Sequence, residues 1–207
     1  MGKRAQIYGR RLDAGAFVAL VGPDGVGKTT VAAALIKMRT DRAAYFHFRP
    51  TLVDGLSATL PSKSSASPKF YGTGIRAFGW LRLLRNVLLF WIGYLMTVKP
   101  KVTQGTLVVG DRWAYGYIVQ PIPLRFFGPA WMARLGVRLM PQPDLVACLV
   151  APPETIRGRK SELTVDEISQ ELARYGDIPV HNLRSYDATS PPDHTARMIL
   201  RDLGLDG

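Results

Sequence analysis

The sequence predicts an α/β fold: a three-layer arrangement in which a five-stranded parallel sheet carries helices on both faces. Three observations support this. Short, largely apolar runs recur near 17–21, 43–48, 106–111 and 144–150, a candidate fifth strand lies at 183–186, and segments with helical periodicity fall between them. The first run passes through a glycine-rich turn directly into a helical pattern. The 207 residues are 47% hydrophobic and 21% charged, enough apolar material for one substantial core.

Taken in order, residues 1–14 hold Lys3, Arg4, Arg10 and Arg11 without the apolar run of a signal peptide, and read as a basic flexible tail. A single domain is expected over 15–207. Phe17 to Val21 is wholly apolar and predicts a buried strand. Val31, Ala34, Leu35 and Met38 then recur on one helical face. Ala43 to Phe48 is a second strand, ended by Arg49-Pro50 because proline biases the preceding residue away from helix. Residues 53–74 are rich in Ser, Gly and Pro, lack a period, and predict a mobile loop.

From Ile75 to Val98 the chain is strongly apolar. Its uncharged part, Asn86 to Val98, is 13 residues long, too short to span a bilayer. It reads as a buried core helix, with an interfacial helix touching membrane as the alternative. Thr106 to Asp111 is a third strand, followed by Arg112 and Trp113. Pro129 opens a helix with Trp131, Leu135 and Leu139 expected inward and Arg134 and Arg138 outward. Asp144 to Val150 is the fourth strand, and Pro153-Glu154 opens a short helix bearing Arg157, Arg159 and Lys160. Thr164-x-x-Glu167 is a capping box for a helix with Ile168, Leu172 and Tyr175 inward and Gly176 at its end. Leu183 to Tyr186 is a fifth strand. Ser190-Pro191-Pro192-Asp193 caps a last helix with Ala196, Ile199, Leu200 and Leu203 buried.

A net charge of +11 calls for an acidic partner: nucleotide phosphates, an anionic membrane surface or nucleic acid. No RNP-like, zinc-finger or basic-zipper pattern accompanies the charge, so nucleic acid is not expected. The lone Cys148 sits in an apolar run and forms no internal disulfide, which fits a reducing, cytoplasmic compartment. His47, His181 and His194 lack metal-ligand spacing and receive no role.

The turn after the first strand reads Gly22-x-x-x-x-Gly27-Lys28-Thr29, the P-loop pattern in its strand–turn–helix context. Glycines let successive backbone N–H groups turn inward around a phosphate, and the helix N-terminus adds partial positive charge. Gly22, Asp24, Gly25, Val26, Gly27, Lys28, Thr29 and Thr30 are therefore expected around a nucleoside triphosphate. Lys28 would reach the β- and γ-phosphates and the Thr29 hydroxyl would bind Mg²⁺. As an exposed loop residue, Lys28 should be replaceable without harm to the fold. Ligands of parallel sheets lie beyond the carboxyl ends of the strands. The P-loop, Arg49, Asp111-Arg112 and the 157–160 basic cluster all follow strand ends and are expected to converge there. Phosphoryl transfer needs such a set of cations around a Mg²⁺-bound phosphate.

These stretches resemble the thymidylate kinase family of P-loop kinases. Gly-Pro-Asp-Gly-Val-Gly-Lys-Thr-Thr (22–30), Arg49-Pro50, Asp111-Arg112-Trp113 and Pro-Pro-Glu-Thr-Ile-Arg-Gly-Arg-Lys (152–160) carry the resemblance, with Asp187-Ala188 similar to the family's adenine-side loop. It implies a P-loop kinase fold using ATP and Mg²⁺. Lys28 and Thr29 would hold ATP phosphates and metal, Arg49 the acceptor phosphate, Asp111 the metal's water shell, and Arg112 the transferring phosphate. Arg157, Arg159 and Lys160 would be cations of a lid over 152–163, and Asp24 would lie near the acceptor. The P-loop has no arginine between Gly22 and Gly27, the pattern of members that place the catalytic arginine in the lid.

The departures are in the base-reading half. The family's Arg-Glu-Pro-Gly stands here as Arg49-Pro50 alone, its thymine-packing helix is replaced by the apolar 81–98 segment, and its Ala-Tyr-Gln is at best Tyr117-Ile-Val-Gln120. The leading expectation is transfer of the ATP γ-phosphate to a nucleoside monophosphate, dTMP by default. The alternative is a same-fold kinase acting on a sugar or membrane-linked glycan hydroxyl, with Asp24 or Asp111 as its base. A nucleotide-binding switch ranks last, since no guanine-reading Asn-Lys-x-Asp occurs. Expected partners are ATP and a phosphate- or hydroxyl-bearing small acceptor, with peripheral contact to an anionic membrane and a homodimer as further expectations.

Overall fold

The computed structural model describes residues 15–40, 42–47, 79–121, 124, 126 and 128–205. The expected tail 1–14, Phe48 with Arg49 and Pro50, the 53–74 loop and the start of the apolar segment at 75–78 lie outside these residues.

Five strands, β1 (Ala16–Val21), β2 (Ala43–His47), β3 (Leu107–Asp111), β4 (Leu145–Val150) and β5 (Leu183–Asp187), form one parallel sheet in the order β2-β3-β1-β4-β5. Each falls where the sequence predicts it, β5 on a mixed rather than an apolar run. β1 is buried along its whole length because both sheet faces are covered. Alternate residues serve the two faces. Ala16, Val18 and Leu20 join Val31 and Leu35 of α1 (Lys28–Met38) and Ile199 and Leu200 of α8 (Pro192–Asp202). Phe17, Ala19 and Val21 join the opposite layer, made with α2 (Gly79–Gly93) and α5 (Ala130–Leu139).

That second layer centres on Trp113, fully buried in the one-turn 3₁₀ segment Trp113–Tyr115 ahead of α4 (Gly116–Val119). Phe17 and Phe90 meet its ring edge-on at 4.9 and 4.6 Å, and its indole N–H donates to the Pro141 carbonyl at 3.0 Å. α6 (Pro153–Arg159) and α7 (Val165–Gly176) follow β4. The α7 capping box forms as predicted: the Glu167 N–H donates to Thr164 Oγ1 at 3.3 Å and the Thr164 N–H to Glu167 Oε2 at 2.8 Å.

Two helix orientations correct the sequence reading. The apolar segment after 79 is not a buried core helix. α2 continues through a π-helical turn (Tyr94–Val98) into α3 (Lys99–Thr103), and among the described large side chains only Leu83, Asn86, Val87, Phe90 and Val98 are buried. α5 is turned the other way round: Trp131 is 63% exposed, Leu135 49% and Leu139 54%, while Ala133, Gly136 and Val137 face the core. Gly136 explains this. A Cβ there would sit 2.8 Å from both Leu83 methyls, so α2 and α5 approach over small residues and the bulky stripe is excluded.

Candidate active site

The turn between β1 and α1 sits at the carboxyl end of the central strand. Gly22 (φ +140°) and Gly25 (φ +88°) adopt backbone that side chains rarely take. A Cβ on Gly22 would lie 2.7 Å from the Leu149 carbonyl, and one on Gly25 2.8 Å from Lys160 Cβ. These approaches bring the turn against β4 and the end of α6. Gly27 caps α1 without a side-chain partner, so the first N–H groups of the helix open toward the same space.

Lys28 is not the exposed residue expected; it is only 6% exposed. Its ammonium donates to the Gly22 and Pro23 carbonyls, each at 2.8 Å, and lies 3.5 Å from Asp24 Oδ1. Burial pulls its pKa below that of a free lysine although Asp111 and Asp24 oppose the shift. Thr29 and Thr30 are exposed at the mouth of the turn.

Asp24 gathers the cations. It pairs with Arg112, stands 3.5 Å from Lys28, and its other oxygen is 3.5 Å from Lys160. Burial alone would raise its pKa; the Arg112 hydrogen bond and the Lys28 and Lys160 charges hold it well below the usual carboxylate range.

Parallel register sets His47, the last described residue of β2, opposite Asp111, the last of β3. His47 Nδ1 and the Tyr45 hydroxyl each lie 3.1 Å from Asp111 Oδ2. Asp111 Oδ1, by contrast, is buried without a hydrogen-bond partner. Burial works against ionisation of Asp111, yet His47, Lys28 and Arg112 outweigh it and lower the pKa. Arg112 follows at φ +70° and Trp113 at φ +32°, costly for side-chain-bearing residues. The Arg112 N–H to Leu20 carbonyl bond at 2.9 Å and the aromatic packing of Trp113 fix that turn.

The basic trio divides. Arg159 donates to the Val26 carbonyl at 3.1 Å and the Ala188 carbonyl at 3.4 Å, tying α6 to both the glycine turn and the β5–α8 loop. Lys160 reaches Asp24. Arg157 is exposed and does not line the cleft. Arg49 lies outside the described residues.

These groups surround one cleft of about 900 Å³. Its walls include Asp24 to Thr30, Asp111, Arg112, Arg159 and Lys160, and 188–192 close the side matching the expected adenine loop. Of two residues the sequence reading passed over, one lines the cleft and the other is coupled to it electrostatically. His47 lines the cleft, and its place at a strand's carboxyl end was the available signal. Glu171 of α7 is buried, accepts from Gln120 Nε2 at 2.8 Å, and has its pKa raised by burial and then by Asp24. Gln120 is thus occupied with α7 rather than lining the cleft. The orphaned Asp111 Oδ1 and the exposed Thr29 hydroxyl, both lining the cleft, are the donor chemistry a Mg²⁺ ion would use, with phosphate oxygens and water completing its shell.

No protein-family model matches the sequence, and no curated protein matches it. Among solved structures, the chain is similar to thymidylate kinase from Ehrlichia chaffeensis, with a TM-score of 0.54 and 14% identity over 92% of this chain and 99% of that one. At that identity the likeness is one of fold, and the fold is that of the P-loop kinases.

Proposed function

We propose that the protein is a Mg²⁺- and ATP-dependent phosphotransferase, with a nucleoside monophosphate as acceptor and dTMP as the default. One observation supports this most: the glycine turn, Lys28, Asp111, Arg112, Arg159 and Lys160 converge on one cleft although they come from separate stretches of chain. Lys28 and the N–H groups entering α1 hold the β- and γ-phosphates. Thr29 and Asp111 would hold a Mg²⁺ ion, which would supply neutralisation of the phosphate charge. Arg112 meets the γ-phosphoryl group as its bond to the β-phosphate oxygen breaks and a bond to the acceptor oxygen forms, releasing ADP. Arg159 and Lys160 balance charge on the departing side, and Arg157 joins them only if α6 shifts. Arg49 remains the proposed clamp on an acceptor phosphate. The solved neighbour is a thymidylate kinase, which supports the monophosphate acceptor alongside the sequence resemblance.

A second reading, a hydroxyl acceptor on a sugar or glycan, is favoured by a specific contact. A hydroxyl must lose a proton during attack. Asp24 is a poor base, because three cations hold it ionised. His47 lines the cleft and touches Asp111, where it could receive that proton.

ADP release from ATP-Mg²⁺ is measured across the nucleoside monophosphates and then across free sugars. Release that depends on dTMP or a related monophosphate supports the leading reading. Release with sugars alone, abolished by His47→Ala, establishes the second. Release indifferent to every acceptor overturns both in favour of a nucleotide switch.

A further inference from the structure

The exposed apolar surface of this protein is concentrated in one place. Of the exposed large apolar side chains among the described residues, only Met198 lies outside the 80–96 segment and α5. Trp80, Leu84, Leu88 and Trp91 stand on the helix formed by α2, and Trp131 and Leu135 on α5. The two helices make one surface: Leu83 packs on Gly136, and the Trp91 indole N–H donates to the Leu139 carbonyl at 2.8 Å. Proteins that work free in solution rarely leave so much contiguous apolar area open.

The charge on this surface has one sign. Between Asp54 and Asp144 the sequence contains a single carboxylate, Asp111, and that one is buried in the cleft. Arg85, Lys99, Arg134 and Arg138 are all exposed. On a helical wheel Arg85 falls inside the apolar arc of α2, and Arg134 and Arg138 lie together on one side of Trp131 on the outward arc of α5, with Leu135 and Leu139 on the other. Long basic side chains beside indoles and leucines are the composition of helices that lie in a membrane interface. Tryptophan is itself favoured at that depth.

A second copy of this chain is the poorer occupant. Closed dimers of two copies use the same patch on both sides, so cations would face cations with no carboxylate to separate them. Lipid phosphates supply the missing sign. No helix among the described residues is long and apolar enough to cross a membrane, so the mode is one of lying on the surface.

We propose that the joint face of α2 and α5 seats the protein on an anionic lipid bilayer. The leucines and indoles sit at the headgroup–acyl boundary, and Arg85, Lys99, Arg134 and Arg138 lie among the phosphates. The proposal does not depend on the phosphotransfer reading.

The full chain is sedimented with phosphatidylcholine vesicles and with vesicles containing about one-third phosphatidylglycerol, a load that gives a strongly negative surface. Binding is expected to the anionic vesicles only, with a blue shift of tryptophan emission and a loss on raising salt from about 0.1 to 0.5 M. Each near-surface cation contributes roughly fivefold in partitioning, so the triple variant Arg85→Gln, Arg134→Gln, Arg138→Gln should bind on the order of 100-fold more weakly. Leu88→Glu with Trp131→Glu should abolish binding. Should that pair not fold, the arginine triple, altered only at exposed side chains, carries the test alone. Failure to bind anionic vesicles overturns the proposal, as does undiminished binding by a folded variant. A dimer in solution that Leu88→Glu with Trp131→Glu splits into monomers overturns it in favour of a second copy.

Discussion

Replacing Lys28 with methionine separates the folding role of this side chain from its phosphate role, because the unbranched stem is kept and only the ammonium is lost. The ammonium makes two hydrogen bonds, to the Gly22 and Pro23 carbonyls, each at 2.8 Å. Bonds of this charge-assisted kind contribute about 1.5–3 kcal/mol each, so the gross loss is about 3–6 kcal/mol. Against this stands the cost of keeping a cation that is 6% exposed, which is several kcal/mol. The direction of the Lys28 pKa decides between them: it is lowered, with burial as the leading cause, so the charged form gains less from its contacts than it loses to burial. The folded state should therefore tolerate Lys28→Met with a change of about 2 kcal/mol or less, or some 4–8 °C in Tm for a chain of this size. Phosphoryl transfer should not tolerate it. Loss of one preorganised group facing transition-state charge costs about 10²–10³ in kcat. The assay pairs a thermal melt with acceptor-dependent ADP release. A folded Lys28→Met protein with kcat within about threefold of the parent would refute the phosphate role. A Tm fall beyond about 10 °C would refute the argument from burial.

Arg159→Ala should lower kcat on the order of 10²-fold, since it removes the link from α6 to the Val26 and Ala188 carbonyls, whereas Arg157→Ala should change kcat by less than about threefold; equal losses in the two variants would show that α6 moves Arg157 into the cleft. Gly25→Ala meets both a φ of +88° and a 2.8 Å approach to Lys160 Cβ, and should destabilise by about 1–3 kcal/mol in a urea titration; an unchanged midpoint would show that the turn relaxes freely. Asp24 has a folded pKa below its unfolded 3.8, so its stabilisation is present above that value and is lost as pH falls through and below about 4. Urea midpoints of the parent should therefore fall more steeply with acid than those of Asp24→Asn, and parallel curves would sink the assignment.

The glycine turn was legible because chemistry sets its spacing: any chain wrapping a phosphate at a strand–helix joint needs glycines and a lysine at those intervals. The strands were legible because runs such as Val18 to Val21 are buried on both faces. Helix facing was not. Periodicity in α5 shows a stripe of Trp131, Leu135 and Leu139, but the buried face was decided by what α2 would admit, namely Gly136 against Leu83. Glu171 escaped notice for a related reason. Its spacing from Ile168 and Tyr175 puts it on the inward face of α7, but its partner there, Gln120, lies 51 residues earlier in the chain. His47 was hidden by the lack of a nearby ligand partner in sequence; its neighbour Asp111 is 64 residues away and is brought alongside by strand pairing.

The position of Asp24 bears on how such a cleft is kept ready for a highly charged ligand. Lys28, Arg112, Arg159 and Lys160 line the same cleft, and left alone they would repel one another. Three of the four converge on the Asp24 carboxylate. Counting Asp24 and Asp111 as ionised and the four cations as charged, the cluster carries two positive charges. A nucleoside triphosphate with one Mg²⁺ brings about two negative charges, so binding leaves the cleft near neutrality. The glycine-turn carboxylate therefore preassembles the cations at little strain, and phosphate oxygens need only outcompete an anion already in their midst. Preorganisation of that kind lowers the reorganisation needed during reaction. In the proposed reaction Asp24 would therefore serve as a positioning anion for the cations it pairs with. In the second reading proposed above, the proton of a hydroxyl acceptor would pass instead to His47, which lines the same cleft.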